Sequence, residues 1–180
     1  FFFKQKTAYE IVDCDWSSDV CSSDLVALSP VLEGLRRLEY RGYDSAGIAM
    51  PSTNGDEKLW VEKRAGKLGN LEGSLGSFPS SHSGIGHTRW ATHGGPTDTN
   101  AHPHLDNDGK LALIHNGIIE NYVELRAELE KRGHTFKSET DTESVVHLLS
   151  DARKKYKGDL AAAMREVCKE LRGSFTLLAI

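Results

Sequence analysis

Two short apolar runs, residues 111–115 and 175–180, bracket three helical patterns in the second half of the chain, and this alternation restricts the fold more than any other feature. Strands that enclose a group of amphipathic helices bury apolar faces against them, which gives a layered mixed fold. The first helical pattern starts at Asn121, a capping residue type, carries Val123, Leu125 and Leu129 on one face, and meets a stop at Gly133. The second starts within Thr140-Asp141-Thr142-Glu143, the spacing of a capping box, ahead of Val145, Val146, Leu148 and Leu149. Asp141 is therefore expected at a helix start. The third covers about 159–171, with Leu160, Met164, Val167, Cys168 and Leu171 inward, and ends near Gly173.

The first half is more broken. Ser29 can cap a helix with Pro30 in its first turn and Val31, Leu32, Leu35 and Leu38 on its buried stripe, ended by Gly42. Residues 46–50 and 58–63 read as a hairpin around the turn-rich 51–56, residues 70–83 as a loop or frayed helix, and 84–88 as a short strand. The expected fold class is α+β, a layered α/β arrangement with mostly antiparallel sheet, and the apolar run at 175–180 leads to the expectation that the domain is incomplete.

Composition narrows the function classes. With 27% charged and 38% hydrophobic residues among 180, the chain fits one domain of ordinary size or a piece of a larger protein. Twenty-two basic against 26 acidic residues, with no basic block, argue against nucleic acid and against an anionic membrane surface. No apolar run approaches the roughly 18 to 20 residues of a membrane span. A small-molecule partner is the expectation, and the cysteine-poor body points to a cytoplasmic location.

Residues 1–25 stand apart. They carry Lys4 and Lys6 against Glu10, Asp13, Asp15, Asp19 and Asp24, a net of −3 out of the chain's −4, and two of its three cysteines, Cys14 and Cys21. Their charge and apolar order is wrong for a secretory leader. Asp19-Val20-Cys21-Ser22-Ser23-Asp24-Leu25 back-translates into a sequence resembling a common sequencing-library adapter. We therefore expect residues 1–25 to be a non-native leader and residues 26–180 to be the domain.

Three clusters could carry chemistry. In His87-Thr88-Arg89-Trp90-Ala91-Thr92-His93-Gly94, Arg89 offers a planar fork for a carboxylate, although it could equally be surface charge with Trp90 as a core anchor. In His115-Asn116-Gly117-Ile118-Ile119-Glu120-Asn121, the Asn116 amide and Gly117 N–H could stabilise an oxyanion, although Asn-Gly at a strand end is also an ordinary turn. Asp141, in Glu139-Thr140-Asp141-Thr142-Glu143, could hold a ligand ammonium, cap a helix, or do both. His87, His93, His102, His104 and His115 raise metal binding, but no His-x3-His helix or Cys-x2-Cys pair supports it, so no metal is expected. The histidines read as polar core or loop residues, and no nucleotide-binding motif is present.

Together with Arg36-Arg37-Leu38-Glu39-Tyr40-Arg41-Gly42-Tyr43-Asp44-Ser45-Ala46-Gly47, these runs resemble the class II glutamine amidotransferases, and among them the glutaminase domain of the glutamine–fructose-6-phosphate aminotransferases, over residues 26–180. The resemblance implies a four-layer αββα sandwich of the N-terminal-nucleophile hydrolase type and no cofactor in this domain. It implies a cysteine nucleophile that attacks the glutamine side-chain amide, with its own α-amine as base, and releases ammonia through a thioester. Carried over, Asn116 and Gly117 form the oxyanion hole, Arg89 holds the glutamine α-carboxylate, Asp141 holds its α-amine, and Trp90, Thr92 and His93 belong to the loop that closes over it. Fructose 6-phosphate would enter only through further domains, and a full-length member is expected to be a homo-oligomer. The family's opening Cys-Gly-Ile-x-Gly is absent, and Cys14, near the expected place, continues into Asp15-Trp16-Ser17. The polypeptide is therefore expected to be inert by itself. Other class II amidotransferases, or a non-catalytic glutamine-binding module, are the alternatives.

Overall fold

Ala46, Ile48 and Met50 point to one side of their strand and Ala49 to the other, and both sides are buried. A strand buried on both faces must lie between two layers. The computed structural model describes residues 2–4, 18–22, 26–53 and 57–180, and among these the elements run β1 (Phe2–Lys4), β2 (Ser18–Ser22), α1 (Leu28–Leu38), a short 3-10 turn (Glu39–Arg41), β3 (Ser45–Pro51), β4 (Leu59–Ala65), α2 (Leu68–Ser74), β5 (Ser83–Arg89), β6 (His104–Leu105), β7 (Ala112–Ile119), α3 (Tyr122–Lys131), α4 (Asp141–Lys155), α5 (Leu160–Glu170) and β8 (Gly173–Ala179). The strands form two sheets, β1-β8-β7-β6 and β2-β5-β3-β4, and every pairing is antiparallel.

Three apolar cores separate four layers. Leu28, Val31, Leu32 and Leu35 of α1, with Leu68 and Leu71 of α2, cover Ala46, Ile48 and Met50. Ala49 and Ile85 of one sheet meet Ala112, Ile114 and Leu178 of the other. Leu113, Phe175, Leu177 and Ala179, on the opposite face of β7 and β8, pack against α3, α4 and α5. Each large aliphatic side chain buried here contributes about 1.5 to 3 kcal/mol. The fold is the expected αββα sandwich. The expected leader, residues 1–25, is described only as the backbone of β1 and β2, and Cys14 lies outside the described residues.

The hairpin is β3–β4, with Ser45 opposite Ala65 and Pro51 opposite Leu59. The loop or frayed helix expected at 70–83 starts as the short helix α2. Ser29 does not cap α1: the helix begins at Leu28 behind Ala27, and Ser29 lies inside its first turn. Asn121 precedes α3 but makes no side-chain cap; its amide instead donates to Glu170 O and accepts the Arg172 N–H, both at 2.9 Å, stapling α3 to the entry of β8. Thr140 is the residue before α4, yet the capping box does not close. Glu143 reaches past Thr140 to accept the N–H groups of Lys137 and Ser138 and the Ser138 hydroxyl.

Candidate active site

The end of β5, the middle of β7 and the start of α4 converge on a cavity of about 380 Å³ lined by, among others, Arg89, Trp90, Thr92, Asn116, Gly117 and Asp141. That volume is at the small end of the roughly 300 to 1,000 Å³ typical of ligand pockets. Three clusters far apart in sequence thus meet at one cavity. His93 is not among the lining residues; its ring stands 4.9 Å from the Tyr122 ring, and its Nδ1 is 3.9 Å from Asp141 Oδ2.

Arg89 is buried, and its guanidinium is turned toward its own loop. Nη1 donates to Gly95 O and Nη2 to Gly94 O, each at 3.3 Å, and Nη2 also donates to His93 O. Asp44 stands 3.7 Å away and accepts the Ala91 N–H, so this carboxylate balances the cation and fixes the start of the loop at once. Asn100, which sequence reasoning missed, grips the same loop: its amide donates to Gly95 O at 3.0 Å and to Glu139 at 3.1 Å, and accepts the Glu139 N–H at 3.0 Å. Trp90 remains largely exposed beside Gly42.

At the other wall, Asp141 opens α4. One oxygen accepts the Ile119 N–H at 2.9 Å, and the other accepts the Thr142 N–H at 3.0 Å. Gly117 adopts φ +119°, and a Cβ there would lie 2.0 Å from Ser174 O, so only glycine fits between β7 and β8 at this point. Asn116 Oδ1 lies 2.9 Å from His87 Nε2. Burial, outweighing the bond to Asn116, takes the His87 pKa down to about 4, so the ring is neutral and its Nε2–H faces the amide oxygen. This fixes which end of the Asn116 amide is its donor end.

Behind the wall lies a layer of buried histidines. Thr142 Oγ1 is 2.9 Å from His102 Nε2, 3.0 Å from His115 Nδ1 and 3.4 Å from Asp141 Oδ1. A hydroxyl with one hydrogen and two lone pairs satisfies all three if it donates to Asp141 and accepts from both rings. The remaining nitrogens, His102 Nδ1 and His115 Nε2, are then unprotonated acceptors, and among the described residues neither has a hydrogen-bond partner. Burial lowers both pKa values, which agrees with neutral rings. No sequence signal pairs Thr142 with His102 forty positions away. Among the described residues no group of three or more His, Cys, Asp or Glu side chains is arranged to hold a metal ion.

A family described as the glutamine amidotransferase domain matches residues 87–180, which include every residue of both walls just described except those of the Gly42–Asp44 turn. The chain belongs to this family. The amidotransferase domain is 60% identical over 156 residues to the glutamine–fructose-6-phosphate aminotransferase (isomerizing) of Streptomyces coelicolor, covering 86% of this chain and 25% of that protein. With the protein of the same name from Thermus thermophilus it shares 57% over 153 residues, 84% of this chain and 24% of the other. The chain thus spans about a quarter of the length of the curated relatives it matches. Among solved structures, it superposes on the glutamine phosphoribosylpyrophosphate amidotransferase of B. subtilis with a TM-score of 0.71, at 29% identity, over 91% of this chain and 34% of that one. A second structure, described as the allosteric regulatory enzyme of purine biosynthesis, gives 0.74 at 30% identity, over 91% and 35%. Among the described residues of the amidotransferase domain, no helix is long and apolar enough to cross a membrane.

Proposed function

We propose that the cavity binds L-glutamine and that the domain is the ammonia-supplying part of an enzyme that makes glucosamine 6-phosphate from fructose 6-phosphate and glutamine. The observation that carries this reading is the placement of Arg89 and Asp141 on one small cavity together with Asn116 and Gly117. A cation and an anion suit the two charged groups of an amino acid, and the Asn-Gly pair suits the side-chain amide. Arg89 takes the α-carboxylate, Asp141 the α-amine, and Asn116 and Gly117 the developing oxyanion. Trp90, Thr92 and His93 belong to the loop that closes over the ligand, and the relatives' name supports the product.

The nucleophile is the missing part. β2 runs antiparallel to β5 with Ser18 opposite His87, and His87 lines the cavity, so this strand has one end at the site. That is where a cysteine opening the first strand would act, yet Cys-Gly-Ile-x-Gly occurs nowhere in the 180 residues. Without an activated thiolate the covalent route is lost and glutamine binding remains. We read residues 1–25 as foreign to the natural protein. The full-length protein is taken to be cytoplasmic and homo-oligomeric, with fructose 6-phosphate bound by further domains, and this domain to use no cofactor, metal, nucleic acid or membrane. Incubating the purified chain with glutamine and assaying ammonia tests the inertness: no release is expected, and turnover above a Cys14→Ala control would overturn it.

A further inference from the structure

Lys63 lies on β4, the outermost strand of its sheet, opposite Gly47 of β3. Its side chain crosses toward the segment that leads into β6. There Nζ donates to the carbonyls of Ala101 at 2.7 Å, Thr99 at 3.1 Å and Pro103 at 3.2 Å. Two of these carbonyls flank His102, whose ring lines the cavity and holds Thr142. Gly47 completes the cradle: a Cβ there would fall 2.2 Å from His102 O, so the segment rests directly on the bare strand.

We propose that Lys63 is a positioning residue of the glutamine site, its ammonium setting the 99–103 segment so that His102 braces Thr142 and, through it, Asp141 and His115. The three donors of an ammonium match the three carbonyls one to one. A neutral amine has two N–H donors and a lone pair, so deprotonation leaves at least one carbonyl facing no donor. The cradle is therefore sensitive to the charge of one side chain outside the cavity.

The charged and titratable groups around Lys63 come from every packed element: Glu62 and Arg64 beside it on β4, Arg89 of β5, Asp98 of the loop, His104 of β6, Lys137 before α4, and Glu143 of α4. Burial is the largest influence and lowers the ammonium pKa to about 8, with Arg89 and Lys137 acting the same way and Glu143 and Asp98 opposing them. A lowered lysine pKa means that the contribution of Lys63 to stability rises as pH rises through 8, because there the unfolded chain holds the proton more tightly. A change at the site with the midpoint of Lys63 therefore reports the cradle and not unfolding driven by loss of that proton.

The experiment follows two readouts on the 180-residue chain and its Lys63→Arg and Lys63→Met variants from about pH 7 to 9. The first, NMR of the His102 and His115 rings, needs no ligand; the second, calorimetric affinity for L-glutamine, rests on the function proposed above. At about pH 9 only about a tenth of Lys63 stays charged, so wild-type affinity is expected to fall about tenfold beyond any change in Lys63→Arg. Both rings should shift with a midpoint near 8 in the wild type alone, and Lys63→Arg should bind at pH 7 like the wild type. Ring resonances that ignore pH in the wild type, or that move identically in all three proteins, would overturn the positioning role. Ring shifts without glutamine binding at any pH would uphold the cradle and sink the glutamine reading instead.

Discussion

Asp141 accepts the Ile119 N–H at 2.9 Å, a bond that ties the first residue of α4 to the last residue of β7 across one wall of the cavity. The same carboxylate is thus a structural acceptor that also lines the cavity, where the proposed function makes it the anion for the ligand ammonium. The two roles separate by substitution. Asp141→Asn keeps an acceptor for Ile119 but turns its NH2 toward the Thr142 N–H, so it should cost about 1 kcal/mol in urea denaturation while weakening glutamine at least about tenfold. Asp141→Ala leaves both the Ile119 and the Thr142 N–H without this acceptor and should lose more, about 1 to 3 kcal/mol for each.

Arg89 should behave differently, because its fork holds backbone carbonyls at 93–95 while the residue also lines the cavity. Arg89→Lys keeps the charge but offers a point donor in place of a planar fork. Hydrogen exchange is expected to speed up in residues 93–95, and glutamine affinity to drop at least about tenfold. Normal exchange with lost affinity would mean that Arg89 serves the ligand alone.

The layered fold was legible because strand and helix periodicities are local: 84–88 falls inside β5, 111–115 and 175–180 overlap β7 and β8 to within one residue, and the stripe Met164, Val167 and Cys168 is buried as expected. Arg89, Asn116 and Asp141 were legible as residue types, and the fold brings them to one cavity. Illegible were the partners that hold them. His102, Thr142 and His115 meet through a hydroxyl across 27 to 40 positions, and Asn100 meets Glu139 across 39, distances at which periodicity carries no information. The capping box failed for a related reason. Glu143 finds three donors at Lys137 and Ser138, more than the single Thr140 N–H could give it.

The buried histidines set the response to acid. His87 has a folded pKa of about 4 through burial, and burial lowers His102, His104 and His115 as well. As pH falls below about 6.5, the unfolded chain takes up these protons and the folded chain does not, so stability falls until each folded value is reached. Each such imidazole removes about 1.4 kcal/mol per pH unit in that window. Glu143 extends the loss further down: burial raises its pKa, but the His147 ring, Ser138 and the N–H groups of Lys137 and Ser138 prevail and hold it at about 2. Its stabilisation is present above about 4.3 and is lost as pH falls toward 2. Urea midpoints should drop steeply from pH 7 to 5; a flat profile there would contradict neutral, buried rings.

Gly117→Ala should be among the most damaging single changes. Its φ of +119° and the 2.0 Å approach to Ser174 O leave no room for a methyl group without parting β7 from β8. A loss above about 2 kcal/mol is expected in thermal or urea unfolding. A variant as stable as the parent would show that the two strands can separate at this point.

On the function proposed, this cavity holds L-glutamine without the cysteine that would cleave it. Isothermal calorimetry of the 180-residue chain with L-glutamine tests it most directly, with Arg89→Met as the control. Saturable binding at one site, abolished in Arg89→Met, is the predicted result; no heat from the parent chain, or equal binding by the variant, would contradict it.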